Sequence, residues 1–215
     1  MLFAMKKTTS EYLERLNTRV DDDALFALRT LAEKEGVPLI AAESLRFLKQ
    51  IVRMIDAERV LEIGTAIGYT SLALALDAPG LHVVTIERNE TMARLSRAHF
   101  AEYDVEGRIT LVEGDALSID PARIEGVFDL MFIDGAKAQS GRFLKRFEPQ
   151  LRRGGVVVID NVLFRELIGT RTASRHLNQL LRKIDTFNRE LIDDPAYDTV
   201  VHPIGDGLSV AIKKR

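Results

Sequence analysis

A chain of 215 residues, 46% hydrophobic and 29% charged, has the length and balance of one globular domain able to bury its own core. It contains no cysteine, which excludes a disulfide framework, a thiolate metal site and a thiol nucleophile, and agrees with a reducing, cytoplasmic compartment. The net charge of −2 excludes a uniformly basic nucleic-acid binder, and with neither an apolar leader nor a run of about 18 apolar residues, no membrane partner is expected.

The first 57 residues read as a helical extension. Residues 10–17 suit a short helix. Residues 22–34 suit a second, with Leu25, Leu28 and Leu31 on one face and Gly36 as its stop. Residues 41–55 suit a third, with Leu45, Leu48, Ile51, Val52 and Ile55 in one stripe. From residue 58 the rhythm changes. Strands at 59–63, 82–87, 109–113, 127–134 and 155–160 alternate with helices at 69–76, 90–102 and 141–150. Such alternation implies right-handed crossovers and a mostly parallel sheet covered on both faces. The unbroken apolar run at 156–159 fits a strand buried on both sides. A long amphipathic helix is expected over 172–191, with Leu177, Leu180, Leu181, Ile184 and Leu191 inward. Segments 197–203 and 208–213 flank Gly205-Asp206-Gly207, whose glycines permit the positive φ of a hairpin turn. The expectation is one domain, with an extension at 1–57 and a core at 58–215.

In a parallel sheet, ligands bind outside the C-terminal strand ends, near the point where strand order reverses. The chemistry-bearing motifs fall at those ends. Gly64 and Gly68, in Leu61-Glu62-Ile63-Gly64-Thr65-Ala66-Ile67-Gly68, let the backbone pass close to a ligand and turn into a helix N-terminus. Their Gly-x-x-x-Gly spacing is not that of a dinucleotide binder, and a plain strand-to-helix turn would look the same. Glu87, 23 residues after Gly64, is placed to accept both ribose hydroxyls of an adenosine-containing cofactor. Gly114-Asp115-Ala116 is placed to grip adenine.

Asp134, with Lys137 three residues on, ends the fourth strand, and Asp160-Asn161 ends the fifth. Neighbouring strand tips let two carboxylates and an amide oxygen converge into an all-oxygen site suited to Mg²⁺ or Mn²⁺. The other reading of Asp160-Asn161 is a helix cap or turn. His82, His99, His176 and His202 stand apart from one another and read as structural or surface residues. Charge is uneven as well. Residues 137–183 hold eleven Lys/Arg against three Asp/Glu, a net of +8, which leaves −10 for the rest. This suggests a polyanionic partner on one side, although solvated helix faces give the same pattern.

These motifs together resemble the catechol and caffeoyl-CoA O-methyltransferase superfamily. More narrowly, Leu61 to Tyr69, Thr85 to Glu90, Asp160 to Phe164 and the tail from Lys183-Ile184-Asp185 to Gly205-Asp206-Gly207-Leu208 resemble the bacterial tRNA 5-hydroxyuridine methyltransferase family nearly end to end. The resemblance implies an α/β, Rossmann-like class I methyltransferase fold, with a seven-stranded, mostly parallel sheet closed by an antiparallel hairpin. It implies S-adenosylmethionine as cofactor, bound by Ile40, Glu62, Gly64, Thr70, Glu87, Asp115, Ala116 and Asp134, with Gly64 and Thr70 along the methionine portion. It implies a divalent metal on Asp134, Asp160 and Asn161, with Lys137 and Asp134 at the reacting centre. A tRNA anticodon loop would be the partner, with footing on Arg165, Arg171, Arg175, Arg182 and Lys183, and the protein would be a homodimer. Ile40 stands where the family has methionine, Thr70 where it has serine and Gly135 where alanine is common, and none of these changes removes a catalytic group. The same chemistry on a small catechol or phenol remains the alternative.

Overall fold

The computed structural model describes residues 11–13, 16, 23–104 and 106–214. Of the helix expected over 10–17, residues 11–13 and 16 are helical and the rest lies outside the described residues. Helices α1 (Asp23–Glu35) and α2 (Ala42–Met54) precede the sheet. Then follow β1 (Arg59–Ile63), α3 (Tyr69–Asp77), β2 (His82–Glu87), α4 (Glu90–Tyr103), β3 (Ile109–Glu113) and β4 (Phe128–Ile133). The chain continues through α5 (Ser140–Phe147), β5 (Leu151–Asp160), α6 (Arg175–Asp193), β6 (Tyr197–His202) and β7 (Leu208–Lys213).

The seven strands lie in the order β3-β2-β1-β4-β5-β7-β6. The first five are parallel, and β7 runs antiparallel to both β5 and β6. The chain winds outward from β1 to β3 and then returns to β4 on the other side of β1. That reversal opens a crevice between the β1 and β4 tips. Strand alternation divides the core into two layers. Val60, Leu130, Val156 and Val158 pack with Leu45, Leu48 and Leu72 on one face. Leu61, Met131, Val157 and Ile159 pack with Phe143, Phe147 and Leu191 on the other. Both faces are therefore dry, as the apolar run in β5 requires.

Element boundaries move where turn chemistry outweighs periodicity. Strand β5 begins at Leu151, four residues before the expected start, and crosses Gly154 at φ +72° with a register irregularity against β4. A bulge keeps the ladder running through a glycine that reads as a break in sequence. Helix α6 begins at Arg175 because the Ser174 hydroxyl caps it, accepting from the Leu177 N–H at 3.2 Å. Helix α5 ends at Phe147, before Pro149 in a short 3-10 turn at Glu148–Gln150.

Candidate active site

A cleft of ≈ 460 Å³ opens at the C-terminal tips of the parallel strands. At the end of β1 the chain turns sharply at Gly64, where φ is +105° and an added Cβ would lie 2.7 Å from the Asp134 carbonyl oxygen. Only glycine lets the β1 and β4 loops approach this closely. Backbone bonds hold the junction, Gly64 N–H to the Ile86 carbonyl and Asp134 N–H to the Ile63 carbonyl, both at 3.0 Å. Gly64 and Asp134 thus face the cleft side by side.

Glu87, at the tip of β2, also lines the cleft. One carboxylate oxygen accepts the Ala66 N–H at 2.9 Å and the other accepts the Asn89 N–H at 2.7 Å. These bonds fix the side chain in advance of any ligand and leave further lone pairs free. Asp115 and Ala116 follow β3 on the same wall, with Asp115 held by the Leu117 N–H at 2.8 Å.

Asp134 and Lys137 face the cleft from the β4 loop, with Nζ 2.5 Å from Oδ1. Asp160 and Asn161 reach it from β5. Asp160 is 4% exposed. Burial above all, and then the negative charge of Asp134, push its carboxyl up to about 7, while Lys137 pulls the other way. Asn161 is left-handed at φ +62° and caps no helix, so the cap reading fails and the amide is presented to the cleft. Asparagine tolerates this conformation better than most residues. Among the described residues no cluster of three or more His, Cys, Asp or Glu is arranged to hold a metal. The two aspartates therefore need the Asn161 amide oxygen to complete a set of three hard donors. A divalent cation fits that set, because it would compensate a buried aspartate that otherwise resists ionisation.

Three residues expected at the cofactor do not line the cleft. Glu62 is fully buried beneath it, its Oε2 accepting from the hydroxyls of Ser71 and Thr85, and desolvation pushes its carboxyl up to about 8. Ile40 and Thr70 are likewise buried, and the neighbouring Pro38 and Leu39 line the cleft instead. Of the five basic residues, Arg165 is at the cleft, while Arg171, Arg175 and Arg182 line a second groove of ≈ 790 Å³. Lys183 lies with Arg182 and Arg142 along a third depression. Among the described residues no histidine lines the cleft. His99 is bonded to the Ile67 carbonyl at 2.8 Å, and His202 packs against Phe47.

The sequence reading missed Asp206 as a site residue. It sits in the β6–β7 turn, lines the cleft and accepts an Asn161 Nδ2–H at 3.3 Å. Its only signal was its place in a Gly-Asp-Gly turn, which tertiary structure alone brings against β5.

A reversing parallel sheet with an antiparallel terminal hairpin, and a cleft over its strand tips, define a Rossmann-like methyltransferase fold. Comparison narrows the class. Residues 15–214 match the O-methyltransferase family model, and the chain belongs to that family. It is 37% identical over 146 residues to a catechol O-methyltransferase of Mycobacterium tuberculosis, a match covering 66% of each chain. A structure described as a candidate caffeoyl-CoA O-methyltransferase from Staphylococcus aureus superposes with a TM-score of 0.89 at 37% identity, covering 96% of this chain and all of the other. The SAH-bound methyltransferase PaMTH1 of Podospora anserina superposes with a TM-score of 0.86 at 25% identity, covering 100% of this chain and 99% of that one.

Proposed function

We propose that the protein transfers a methyl group from S-adenosylmethionine to an oxygen of 5-hydroxyuridine at the tRNA wobble position, giving 5-methoxyuridine, with the help of a divalent cation. The observation that carries the chemistry is the meeting of Asp134, Lys137, Asp160 and Asn161 in one cleft whose opposite wall holds Glu87, Asp115 and Ala116. In this reading cofactor and acceptor take adjoining places. Membership of the O-methyltransferase family and the likeness to an SAH-bound structure support the donor.

In this reading Glu87 receives the ribose hydroxyls, and the Asp115-Ala116 turn receives the adenine. Gly64 allows the methionine portion to lie against the backbone. Asp134, Asp160 and Asn161 would hold Mg²⁺ or Mn²⁺, which supplies a positive charge that makes the acceptor hydroxyl more acidic. Lys137 either takes that proton or stabilises the resulting oxyanion. The oxygen then attacks the sulfonium methyl in line, the C–S bond breaks and S-adenosylhomocysteine leaves. Holding donor and acceptor in line contributes up to about 7–11 kcal/mol in favourable cases.

The choice of acceptor rests on the surroundings. The 5-hydroxyl and 4-carbonyl of 5-hydroxyuridine offer vicinal oxygens much as catechol does, so the donor set suits both. Exposed Arg165, Arg171, Arg175, Arg182 and Lys183, in and after the loop leaving β5, favour a polyanion. The identity to a catechol O-methyltransferase favours the small-phenol alternative. Nucleoside mass spectrometry of tRNA from a deletion strain separates them. Loss of 5-methoxyuridine with accumulation of its hydroxylated precursor is expected, and an unchanged tRNA profile would reject the tRNA acceptor. A homodimer formed through the N-terminal helices belongs to the same reading, supported by exposed Phe26 and Met54 and checked by light scattering.

A further inference from the structure

We propose that Asp206 is a positioning residue that decides which atom of the Asn161 amide, oxygen or nitrogen, faces the cleft, and that the same carboxylate pins the left-handed segment at the cleft rim. The inference rests on the reading of Asp134, Asp160 and Asn161 as cation ligands.

A carboxylate offers only acceptors, whereas a carboxamide has a donating and an accepting end. The Asp206 Oδ2 accepts an Asn161 Nδ2–H at 3.3 Å, which engages the nitrogen and leaves the amide oxygen as the atom to complete the donor set. Without that partner, nothing in the shape of the amide prevents it from turning its nitrogen to the cleft, and an N–H is no ligand for a hard cation. The other oxygen of Asp206, Oδ1, accepts the main-chain N–H of Arg165. Main-chain bonds run alongside, Leu163 N–H to the Asp206 carbonyl at 3.0 Å and Val162 N–H to the Gly207 carbonyl at 3.1 Å.

The pinned segment is unusual. Phe164, Arg165 and Glu166 are consecutive non-glycine residues at φ +45°, +55° and +57°, a conformation that L side chains seldom adopt and that persists only where surroundings impose it. Phe164 and Arg165 line the cleft. The β6–β7 turn therefore sets both the last donor atom from β5 and the wall beside it, through one side chain.

The substitutions Asp206→Asn and Asn161→Asp separate these roles. The carboxamide introduced by Asp206→Asn can still accept from the Arg165 N–H, but it places a donor against Asn161 and turns that amide around. Exchanging the two groups in the double variant restores a donor–acceptor pair with an oxygen left over for the cleft. Mn²⁺ binding to the full chain, followed by electron paramagnetic resonance without acceptor, should weaken about 10- to 100-fold in Asp206→Asn. The double variant should recover most of that loss, so that the four-corner cycle is strongly non-additive. Hydrogen exchange at the Arg165 amide should stay slow in Asp206→Asn and become fast in Asp206→Ala. Wild-type Mn²⁺ affinity in Asp206→Asn, or an additive cycle, would overturn the proposal while the metal reading stands. Wild-type protein that takes up no Mn²⁺ would remove the metal reading itself, and the proposal with it.

Discussion

Lys137 Nζ stands 2.5 Å from Asp134 Oδ1, and both side chains are about one quarter exposed to the cleft. The spacing of three residues, just before a short 3-10 turn at Lys137–Gln139, holds an ammonium beside the Asp134 carboxylate. Under the proposed function, an ammonium so placed would meet the charge that develops on the acceptor oxygen. Lys137→Met should lower kcat by about 10²- to 10⁴-fold, the usual range for a positioned acid–base group, with little change in cofactor affinity. Stopped-flow single-turnover rates check this. An unaltered rate would show that Lys137 serves only Asp134.

Asp160 ends a strand whose residues 156–159 are locked in both core layers, so the strand does not depend on its carboxylate, which among the described residues accepts only the Asn161 N–H at 2.7 Å beyond the strand end. Asp160→Ala should therefore abolish methyl transfer while thermal unfolding and S-adenosylhomocysteine binding stay close to wild type. Removal of divalent cations by chelation should have the same effect on the wild type, reversed by adding Mg²⁺ or Mn²⁺. Full activity after thorough chelation would contradict the assignment of Asp134, Asp160 and Asn161.

How much of this could be read before folding is a matter of range. Strands β1, β2 and β3 begin and end where the sequence placed them, because hydrophobic period and glycine turns are local. Asp134, Asp160, Asn161 and Glu87 were legible for a related reason. A parallel sheet puts all C-terminal tips on one edge, so a polar residue closing an apolar strand is carried to the crevice. Glu62 also lies near a tip, yet one residue before Ile63 alternation turns it into the layer beneath, against Ser71 and Thr85, a placement the sequence pattern did not convey. Asp206 was invisible because its role depends on β7 pairing antiparallel with β5, which brings a turn 45 residues distant onto Asn161. The Arg165 and Arg171–Arg182 groups separate onto different grooves because the path of the loop from β5 to α6 has no periodicity to read.

The carboxyl of Glu62 ties stability to pH. Buried without a cation, it titrates near 8 against an ordinary 4.5. Below pH 4.5 folded and unfolded chains both carry its proton. Between 4.5 and 8 only the folded chain keeps it, so this group makes stability fall as pH rises, by up to about 1.4 kcal/mol per pH unit, and the slope vanishes above 8. Glu62→Gln should remove that component. Urea unfolding of both proteins at several pH values from 5 to 8 should show the variant gaining on the wild type as pH rises. Parallel curves would mean that Glu62 ionises in the folded protein as freely as in the unfolded one.

Glu87 is held open to the cleft by two backbone N–H donors, from Ala66 and Asn89, on opposite oxygens. A carboxylate fixed in this way can take two vicinal hydroxyls without further ordering. Glu87→Ala should weaken S-adenosylmethionine binding by roughly 10- to 100-fold, on the order of two charge-assisted hydrogen bonds, and leave tRNA binding nearly unchanged. Calorimetry with each ligand separates the two, and the reverse pattern would reject the ribose assignment.

Arg171, Arg175 and Arg182 line one groove together with Asn178, Gln179 and Asp185, formed by the loop before the amphipathic helix α6 and its first half. If that groove receives phosphates, each arginine should release about one condensed counterion when RNA binds. Replacing all three with glutamine should raise KM for tRNA and lower the steepness of its salt dependence by up to about three units on a double-logarithmic plot. Folding and cofactor binding should not change, since all three side chains are exposed and α6 is anchored by Leu181, Ile184 and Leu191 on its other face. Methylation of a small catechol, where it occurs, should respond neither to these substitutions nor to salt, because an uncharged acceptor displaces no counterions. An unchanged salt slope for tRNA in the triple variant would move the polyanion away from this groove and leave Arg165, at the cleft itself, as the basic residue to test next.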